Sequence, residues 1–474
     1  MVTSFYFYDL ETSGIDARSD RVMQFAGQRT DINLKSIGQP DNFLIKMTPD
    51  ILPDPYAILI TGITPQQTLA DGMTEAEFMK YFLGKVATPN TTMIGYNNIR
   101  FDDEFMRFMA WRNFADAYEW QWKDGRSRWD LLDVVRMTRA LRPEGIKWPF
   151  ASDGKPSNRL ELLSSINKLS HANAHDALSD VNAVIELAKL IKLKQPKLFD
   201  YLLNIRDKQK AGALVSSGEP FIYTSGRYSS ENAHTTVAVK LAELPDKNGA
   251  VVYDLRINPA KFADMSAERL AQAWGTYGKD TPYFPAKALR YNRCPAVAPL
   301  SVLDSASQQR LNLDLTKIKS NRAALPKDFG DKLYKAAELM KKQTQPQMMV
   351  DPQSVDQSLY ESFVSGPDKV KMSAIRAATG QSLAELHVEF NDERLQALLP
   401  LYKARNYPKF LDPDETAGWE KFRQQKLMSG GQSSALTKYF NKLDELAASS
   451  AVTDEQKYAL EELRLYGESI APID

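Results

Sequence analysis

Cysteine is almost absent: Cys294 is the only one in 474 residues. A disulfide scaffold and a cysteine-based zinc finger are excluded, because each needs a second thiol. Histidine is scarce as well, and His171, His175, His234 and His387 are too few for a histidine-rich metal protein. Neither sign of charge dominates. Lys plus Arg is 60 and Asp plus Glu is 60, so the net charge is zero. A histone-like global basic field is excluded, but a local basic groove is not. No apolar run approaches the ~20 residues of a membrane span. The first residues, MVTSFYFYDLETSG, lack a basic n-region and already carry Asp9 and Glu11. These absences predict a cytoplasmic chain without a membrane partner.

What is present is ordinary for a globular protein: 43% hydrophobic, 25% charged and 10% aromatic residues. At ~100–200 residues per domain, the length suggests two to four domains. Residues 1–195 alternate between strand and helix patterns. Phe5–Asp9, Val22–Thr30, Asn42–Met47 and Thr92–Tyr96 have strand composition. Thr74–Val86, Asp102–Phe114, Asp130–Leu141 and Asp180–Leu193 have helical spacing. That mix predicts an α/β layer structure with a central sheet, closed by Pro196. Residues 197–350 predict a small β domain. Phe221–Thr224, Thr235–Lys240 and Val251–Leu255 are its strands, Asn248-Gly249 is a hairpin turn, and helical pieces lie near Arg310–Leu313 and Lys332–Lys342. Gln343–Gln353, with Pro346 and Pro352, reads as a linker. Residues 353–474 look all-α. Their helical patterns are Leu359–Phe363, Val370–Ala378, Ser382–Val388, Asp392–Ala404, Thr416–Met428, Ala435–Ala447 and Asp454–Tyr466. Thr453 and Gln456 have capping-box spacing before the last of these.

Three places carry candidate chemistry. Asp9-Leu10-Glu11 ends the first strand, where i and i+2 face one side. Two anions held that close repel unless a cation neutralises them. Hard oxygen ligands select Mg²⁺ or Mn²⁺. At Gly95–Asp103 an apolar strand runs into an Asn-rich turn, and Asp102 opens a helix. An Asp at a helix start is often only a cap, which applies equally to Asp103. At His171–Val181 a histidine five residues before an aspartate could place a general base on a loop and a metal ligand on the helix behind it. Both His175–Asp180 and His171–Asp176 fit. Val181, Val184, Ile185 and Ala188 mark the buried stripe, with Asp180 at its edge, whereas Asp176 and Ser179 suit a helix start. We therefore prefer His175 and Asp180.

In this order, D-x-E-T, N-x-x-F-D and H-x₄-D resemble the DEDDh exonuclease superfamily. The resemblance implies an RNase H-like fold, metal-binding carboxylates at Asp9, Glu11, Asp102 and Asp180, and a general base at His175. Further blocks look like bacterial exonuclease I: Leu59–Pro65, Trp129–Arg136, Ala140–Gly145 and Ala404-Arg405-Asn406. That resemblance spans essentially the whole chain and is looser in the β domain. It implies an RNase H-like exonuclease domain (1–195), an SH3-like β domain (197–350) and an all-α C-terminal domain (353–474). It also implies processive 3′→5′ hydrolysis of single-stranded DNA to 5′-mononucleotides, in repair and recombination. The cofactors would be two divalent cations, Mg²⁺ or Mn²⁺, with Asp102 binding through water.

Residues 107–147 interleave cations and aromatics: Arg107, Arg112, Tyr118, Trp120, Trp122, Arg126, Arg128, Trp129, Arg136, Arg139, Arg142 and Lys147. Aromatics that stack on bases and cations that follow phosphates make a single-strand groove. We expect half of these residues to be structural instead, with Trp120 and Trp129 as core anchors. By resemblance, Arg107, Tyr118, Trp122, Arg136 and Arg159 contact DNA, and Leu59 and Thr61 abut the terminal nucleotide beside Glu11. The resemblance also implies a partner, the acidic, Phe-ended tail of single-stranded-DNA-binding protein. Such a tail needs a cation for its carboxylate and a pocket for its ring, placed here at Arg142, Tyr201 and Arg310. We expect a monomer. Two other functions share these features: a 3′→5′ exoribonuclease and a non-catalytic single-strand-binding module. The presence of all four carboxylates and the histidine ranks the latter low.

Overall fold

The computed structural model describes residues 3–169, 176–275, 283–343, 353–450 and 452–472. The chain forms two compact units. One comprises Met1–Ser127, Ala172–Asn182 and Gln347–Asp474; the other comprises Arg128–His171 and Ala183–Pro346.

In the first unit, β1 (Ser4–Thr12) is the aromatic-rich strand SFYFYDLET, buried along almost its whole length. It pairs antiparallel with β2 (Val22–Thr30) and parallel with β4 (Thr91–Gly95). With β3 (Asp41–Leu44) and β5 (Ser127–Asp130) the sheet has the order β3-β2-β1-β4-β5. β1 is thus central, flanked on both sides, and its C-terminal end carries Asp9 and Glu11. β3 is shorter than its Asn42–Met47 pattern: it ends at Leu44, and Ile45 forms an isolated bridge with Met73 while still donating to the Met23 carbonyl of β2 at 2.8 Å.

Helices α1 (Pro55–Thr61), α2 (Pro65–Asp71) and α3 (Glu75–Tyr81) follow. The block Leu59–Pro65 is a helix stop and restart. Gly62 ends α1 at φ +71°, a left-handed conformation that glycine adopts without strain, and Thr64-Pro65 caps and opens α2. The single helix expected over Thr74–Val86 is α3 followed by a π-helical turn at Phe82–Val86. Phe25 packs among Tyr6, Tyr8, Phe78 and Phe82, with ring centroids 4.9–6.3 Å apart. The same core continues through Phe105 and Trp120 on to Leu395, Leu398, Tyr402 and Phe422 of the C-terminal helices. Fully burying side chains of this size stabilises by ~1.5–3 kcal/mol each.

A buried ion network also joins the two ends of the chain. Arg405 Nη2 lies 2.8 Å from both Asp50 and Asp356; Arg21 binds Asp356 at 2.7 Å and Lys426 binds Asp50 at 2.7 Å. Burial alone would push both aspartates up in pKa. The cations outweigh it, Arg405 foremost, and hold both below the usual carboxylate range. The C-terminal helices include Gly366–Ala377, Glu393–Asn406, Pro413–Met428, Ala435–Ala447 and Asp454–Ile470. The Thr453–Gln456 capping box is formed. The first piece is 3₁₀ at Val355–Tyr360, where Leu359–Phe363 was expected, and Ser382–Val388 shrinks to a single turn, Gln381–Ala384.

In the second unit, α5 (Leu131–Leu141) begins after its N-cap Asp130. α6 (Leu160–Asn167) and α7 (Ala177–Lys194) follow, and α7 begins within the first unit. Pro196 follows directly after the end of α7 and its neighbour Gln195. It is the first residue of α8 (Pro196–Ile205), where the missing N–H costs nothing, and α9 (Lys208–Val215) follows. β6 (Phe221–Thr224), β7 (Thr235–Glu243), β8 (Gly249–Asp254), β9 (Ala286–Arg290) and β10 (Ala296–Pro299) form a sheet of order β10-β6-β7-β8-β9. Between β8 and β9 lies α10 (Ala267–Gly275), which the sequence reading did not anticipate. The Asn248-Gly249 turn is also corrected. The positive φ of this hairpin falls on Lys247, at +56°. Gly249 already belongs to β8, and glycine is needed there because a Cβ would stand 2.1 Å from the Leu289 carbonyl oxygen.

Candidate active site

β1 aims Asp9 and Glu11 from one face of its end, and α7 brings Asp180 to them in its first turn. One carboxylate oxygen from each of Asp9, Glu11 and Asp180 lies within 4.8 Å of the others. Burial pushes the Asp9 carboxyl far above the usual range, and Asp102, Glu11 and Asp180 add to the shift. Glu11 is pushed up to about 8, first by burial and then by Asp180, Asp102 and Asp176. All these charges are carboxylates. Hard oxygen donors gathered this closely fit a divalent ion.

Asp102 is the first residue of α4 (Asp102–Arg112) and is buried. It acts on Asp9 and Glu11 through its charge but is outside the close trio. It is not the helix cap either, because that position belongs to Phe101, which has no capping side chain. The neighbouring Asp103 is held in the protein by the Tyr8 hydroxyl and by Asn98 Nδ2 at 3.4 Å. Tyr8 thus points away from Asp9 and ties down the α4 turn that carries Asp102. The sequence reading missed this strut; its signal is a tyrosine next to the first carboxylate, matched by an Asp doublet. Asp176 caps α7 by accepting from Ser179 N at 3.0 Å. His171 and His175 lie outside the described residues.

The expected substrate contacts divide between the units. In the first, Asp54 caps the helix that carries Leu59 and Thr61, and Lys442 grips that cap at 2.7 Å. Leu59 is half-buried, and the Thr61 hydroxyl accepts from Ile63 N at 3.3 Å. Arg107 is nearly buried. It donates to Glu104 at 2.6 Å and to Gln121 at 2.9 Å, and its guanidinium lies 5.6 Å from the Tyr118 ring centroid. Arg107 and Tyr118 are therefore together, whereas Trp122 stands out at 63% exposure. In the second unit, Arg136 pairs with Asp133 at 2.7 Å, and the largely exposed Arg159 pairs with Glu161. Trp120 and Trp129 are core residues, and Arg112 is sequestered by Glu75.

Arg142 and Arg310 meet at the C-terminal end of α5. Arg142 Nη2 donates to the Val302 carbonyl at 2.9 Å, and Nη1 faces Asp304 at 3.3 Å. Arg310 Nη1 donates to the Ala140 carbonyl at 2.8 Å. Tyr201 donates to Val297 on β10 at 3.1 Å. Among the described residues no helix is long and apolar enough to cross a membrane.

Three family models match: Exonuclease over residues 6–188, Exonuclease I SH3-like domain over 206–338, and Exonuclease I C-terminal domain over 353–470. Exodeoxyribonuclease I of Haemophilus influenzae is 40% identical over 432 residues, covering 90% of each chain. That of Escherichia coli is 38% identical over 475 residues, 99% of this chain and 98% of its own. Among solved structures, exonuclease I of Methylocaldum szegediense superposes with a TM-score of 0.91 at 40% identity, covering 99% of both chains. A zinc-bound complex of E. coli exonuclease I with single-stranded DNA gives 0.92 at 36% identity, covering 99% of this chain and 100% of that one. A complex described as SSB/exonuclease I with the inhibitor CFAM gives 0.89 at 35%, again over 99% and 100%. With an RNase H-like α/β domain, an SH3-like domain and a helical C-terminal domain, the chain belongs to the exonuclease I family of DNA-hydrolysing enzymes.

Proposed function

We propose that this chain hydrolyses single-stranded DNA from the 3′ end, processively and to 5′-mononucleotides, in DNA repair and recombination. The observation that carries this reading is the Asp9–Glu11–Asp180 cluster, whose carboxylate oxygens lie within 4.8 Å of one another and, with Asp102, push the Asp9 and Glu11 carboxyls up. Asp9, Glu11 and Asp180 would hold divalent cations directly, Mg²⁺ or Mn²⁺, and Asp102 would do so through water. Bound there, two such ions supply a hydroxide at neutral pH and neutralise charge on the attacked phosphate. His175 takes the proton of the attacking water, a role assigned by family resemblance. Leu59 and Thr61 position the terminal nucleotide. Trp122 and Tyr118 offer stacking faces, while Arg107, Arg136 and Arg159 follow the backbone. No protein nucleophile is required.

The tail of a single-stranded-DNA-binding protein is the proposed partner. Arg142 and Arg310 would bind its carboxylate by exchanging their present acidic neighbours, Asp304 and Glu144, with Tyr201 lining the ring pocket.

The test is hydrolysis of labelled single strands in Mg²⁺. Asp9→Ala and Asp180→Ala should abolish turnover and retain strand binding. His175→Ala should lower turnover by ~10²–10⁴-fold, as expected for a lost general base, and His171→Ala should change it little. Full activity of either aspartate variant would overturn the reading.

A further inference from the structure

Two buried polar side chains adjoin carboxylates of the site in sequence and bond to each other instead. Tyr8 precedes Asp9 on β1, and side chains alternate along a strand, so its ring lies on the face opposite to Asp9. The ring stacks on Phe25, with centroids 6.0 Å apart and planes 19° apart. Asp103 follows Asp102 in the first turn of α4 and is fully buried. Its carboxylate accepts from the Tyr8 hydroxyl and from Asn98 Nδ2 at 3.4 Å, and its backbone N–H donates to the Asn98 carbonyl at 2.8 Å. One side-chain bond therefore ties the residue before Asp9 to the residue after Asp102.

The turn between β4 and α4 is fitted to this bond. α4 has no capping side chain, so its first turn depends on other contacts. Gly95, the last residue of β4, is packed so closely that a Cβ would stand 2.6 Å from Asn98 Cβ and 3.1 Å from the Tyr8 carbonyl oxygen. Asn98, itself fully buried, is thus pressed against β1 at Tyr8 while its amide reaches Asp103. Such a pair is a poor choice for stability alone. A buried carboxylate and phenol must first offset their lost hydration, and two apolar groups of the same shape are close to neutral in their place. What the polar pair adds is direction, because a satisfied buried hydrogen-bond network rigidifies a core and specifies one arrangement of it. Asp102 is carried on that turn, and its charge acts on Asp9 and Glu11.

We propose that Tyr8, Asn98 and Asp103 are positioning residues for the metal centre: their bonds set the separation of Asp102 from Asp9, and with it the affinity of the site for divalent cations. The proposal rests on the metal-dependent nuclease reading and names what holds the ligands of that site in register.

Three variants test it. Tyr8→Phe removes the hydroxyl and keeps the ring. The double variant Tyr8→Phe, Asp103→Leu removes both polar groups, so no carboxylate stays buried without its donor, and it should melt no lower than Tyr8→Phe. Asp103→Asn keeps an acceptor for the Tyr8 hydroxyl. Mn²⁺ is titrated into each metal-free chain, without DNA, and the free ion is followed by its paramagnetic signal. Melting in EDTA and the Mg²⁺ dependence of hydrolysis are measured in parallel. Tyr8→Phe and the double variant should each bind Mn²⁺ about 10-fold more weakly, the lower end of what a lost outer partner costs a metal site. Both should need correspondingly more Mg²⁺ for half-maximal hydrolysis and approach the wild-type rate at saturation. Asp103→Asn should bind Mn²⁺ as the wild type does. A bond that served stability alone would lower melting in Tyr8→Phe and leave the Mn²⁺ affinity of the double variant unchanged, and that result would overturn the proposal. Weak Mn²⁺ binding by Asp103→Asn would assign the effect to the Asp103 charge and overturn it too. If the wild type binds no Mn²⁺, the nuclease reading itself fails.

Discussion

Replacing Glu11 by Gln should make the metal-free protein more stable and remove its catalytic competence. Glu11 titrates near 4.5 when exposed and is pushed up to about 8 in the fold, first by burial and then by Asp180 and Asp102. Between those values the folded chain holds a proton that the unfolded chain has released. The native state then binds more protons, so stability falls as pH rises through this window and levels off above it. At pH 7 the gap from 4.5 corresponds to roughly 3 kcal/mol at about 1.4 kcal/mol per unit. Relaxation and water entry, which raise the effective dielectric, reduce it to about 2–3 kcal/mol. Glutamine is neutral in both states and escapes this cost. With about 2–4 °C per kcal/mol for a cooperative unit of 150–250 residues, Glu11→Gln should melt about 5–10 °C higher in EDTA at pH 7. The assay is thermal unfolding from pH 5 to 9, with and without chelator. The wild type should lose stability across that range in EDTA and recover it in Mg²⁺, which needs the carboxylates unprotonated. Glu11→Gln should show a flatter profile and a smaller Mg²⁺ response. If Glu11→Gln melts below the wild type, or keeps its pH slope, the carboxylates do not repel one another as described.

Other perturbations follow from the same contacts. Arg405→Ala strands Asp50 and Asp356 half-paired in the interior and should cost about 3–5 kcal/mol by chemical denaturation. Because both aspartates are held below their ordinary range, the unfolded chain binds more protons in acid, and the stability they add should be lost below about pH 4. Trp122→Ala should weaken strand binding by about 1–3 kcal/mol, similarly for different sequences, with unchanged melting because the ring is exposed. Arg142→Ala should weaken binding of an acidic, Phe-ended tail peptide; equal affinity in a titration would leave Arg142 as only a partner of Val302 and Asp304.

Much of this arrangement was legible in the residues because local and global signals agree there. Val22–Thr30 is a strand at its expected bounds, since its apolar residues are buried on both faces of a central sheet position. Asp180 could be placed from the stripe Val181, Val184 and Ile185, all buried in α7. The readings that failed depend on partners far away in sequence. Gly249 is a glycine because of Leu289 on another strand, not because of its own turn. The separate tasks of Asp102 and Asp103 are set by Tyr8, which lies 95 residues before Asp103. Arg405, noticed only as part of a block, is explained by Asp50 and Asp356.

The most direct measurement follows single-stranded DNA carrying a label at its 3′ end in one sample and its 5′ end in another, in Mg²⁺ and in EDTA. With Mg²⁺, the 3′ label should leave at once as a mononucleotide while the 5′-labelled strand shortens from its far end; EDTA and Asp180→Ala should each stop both. Release beginning at the 5′ label, or equal rates in EDTA, would contradict 3′→5′ hydrolysis at the Asp9–Glu11–Asp180 cluster.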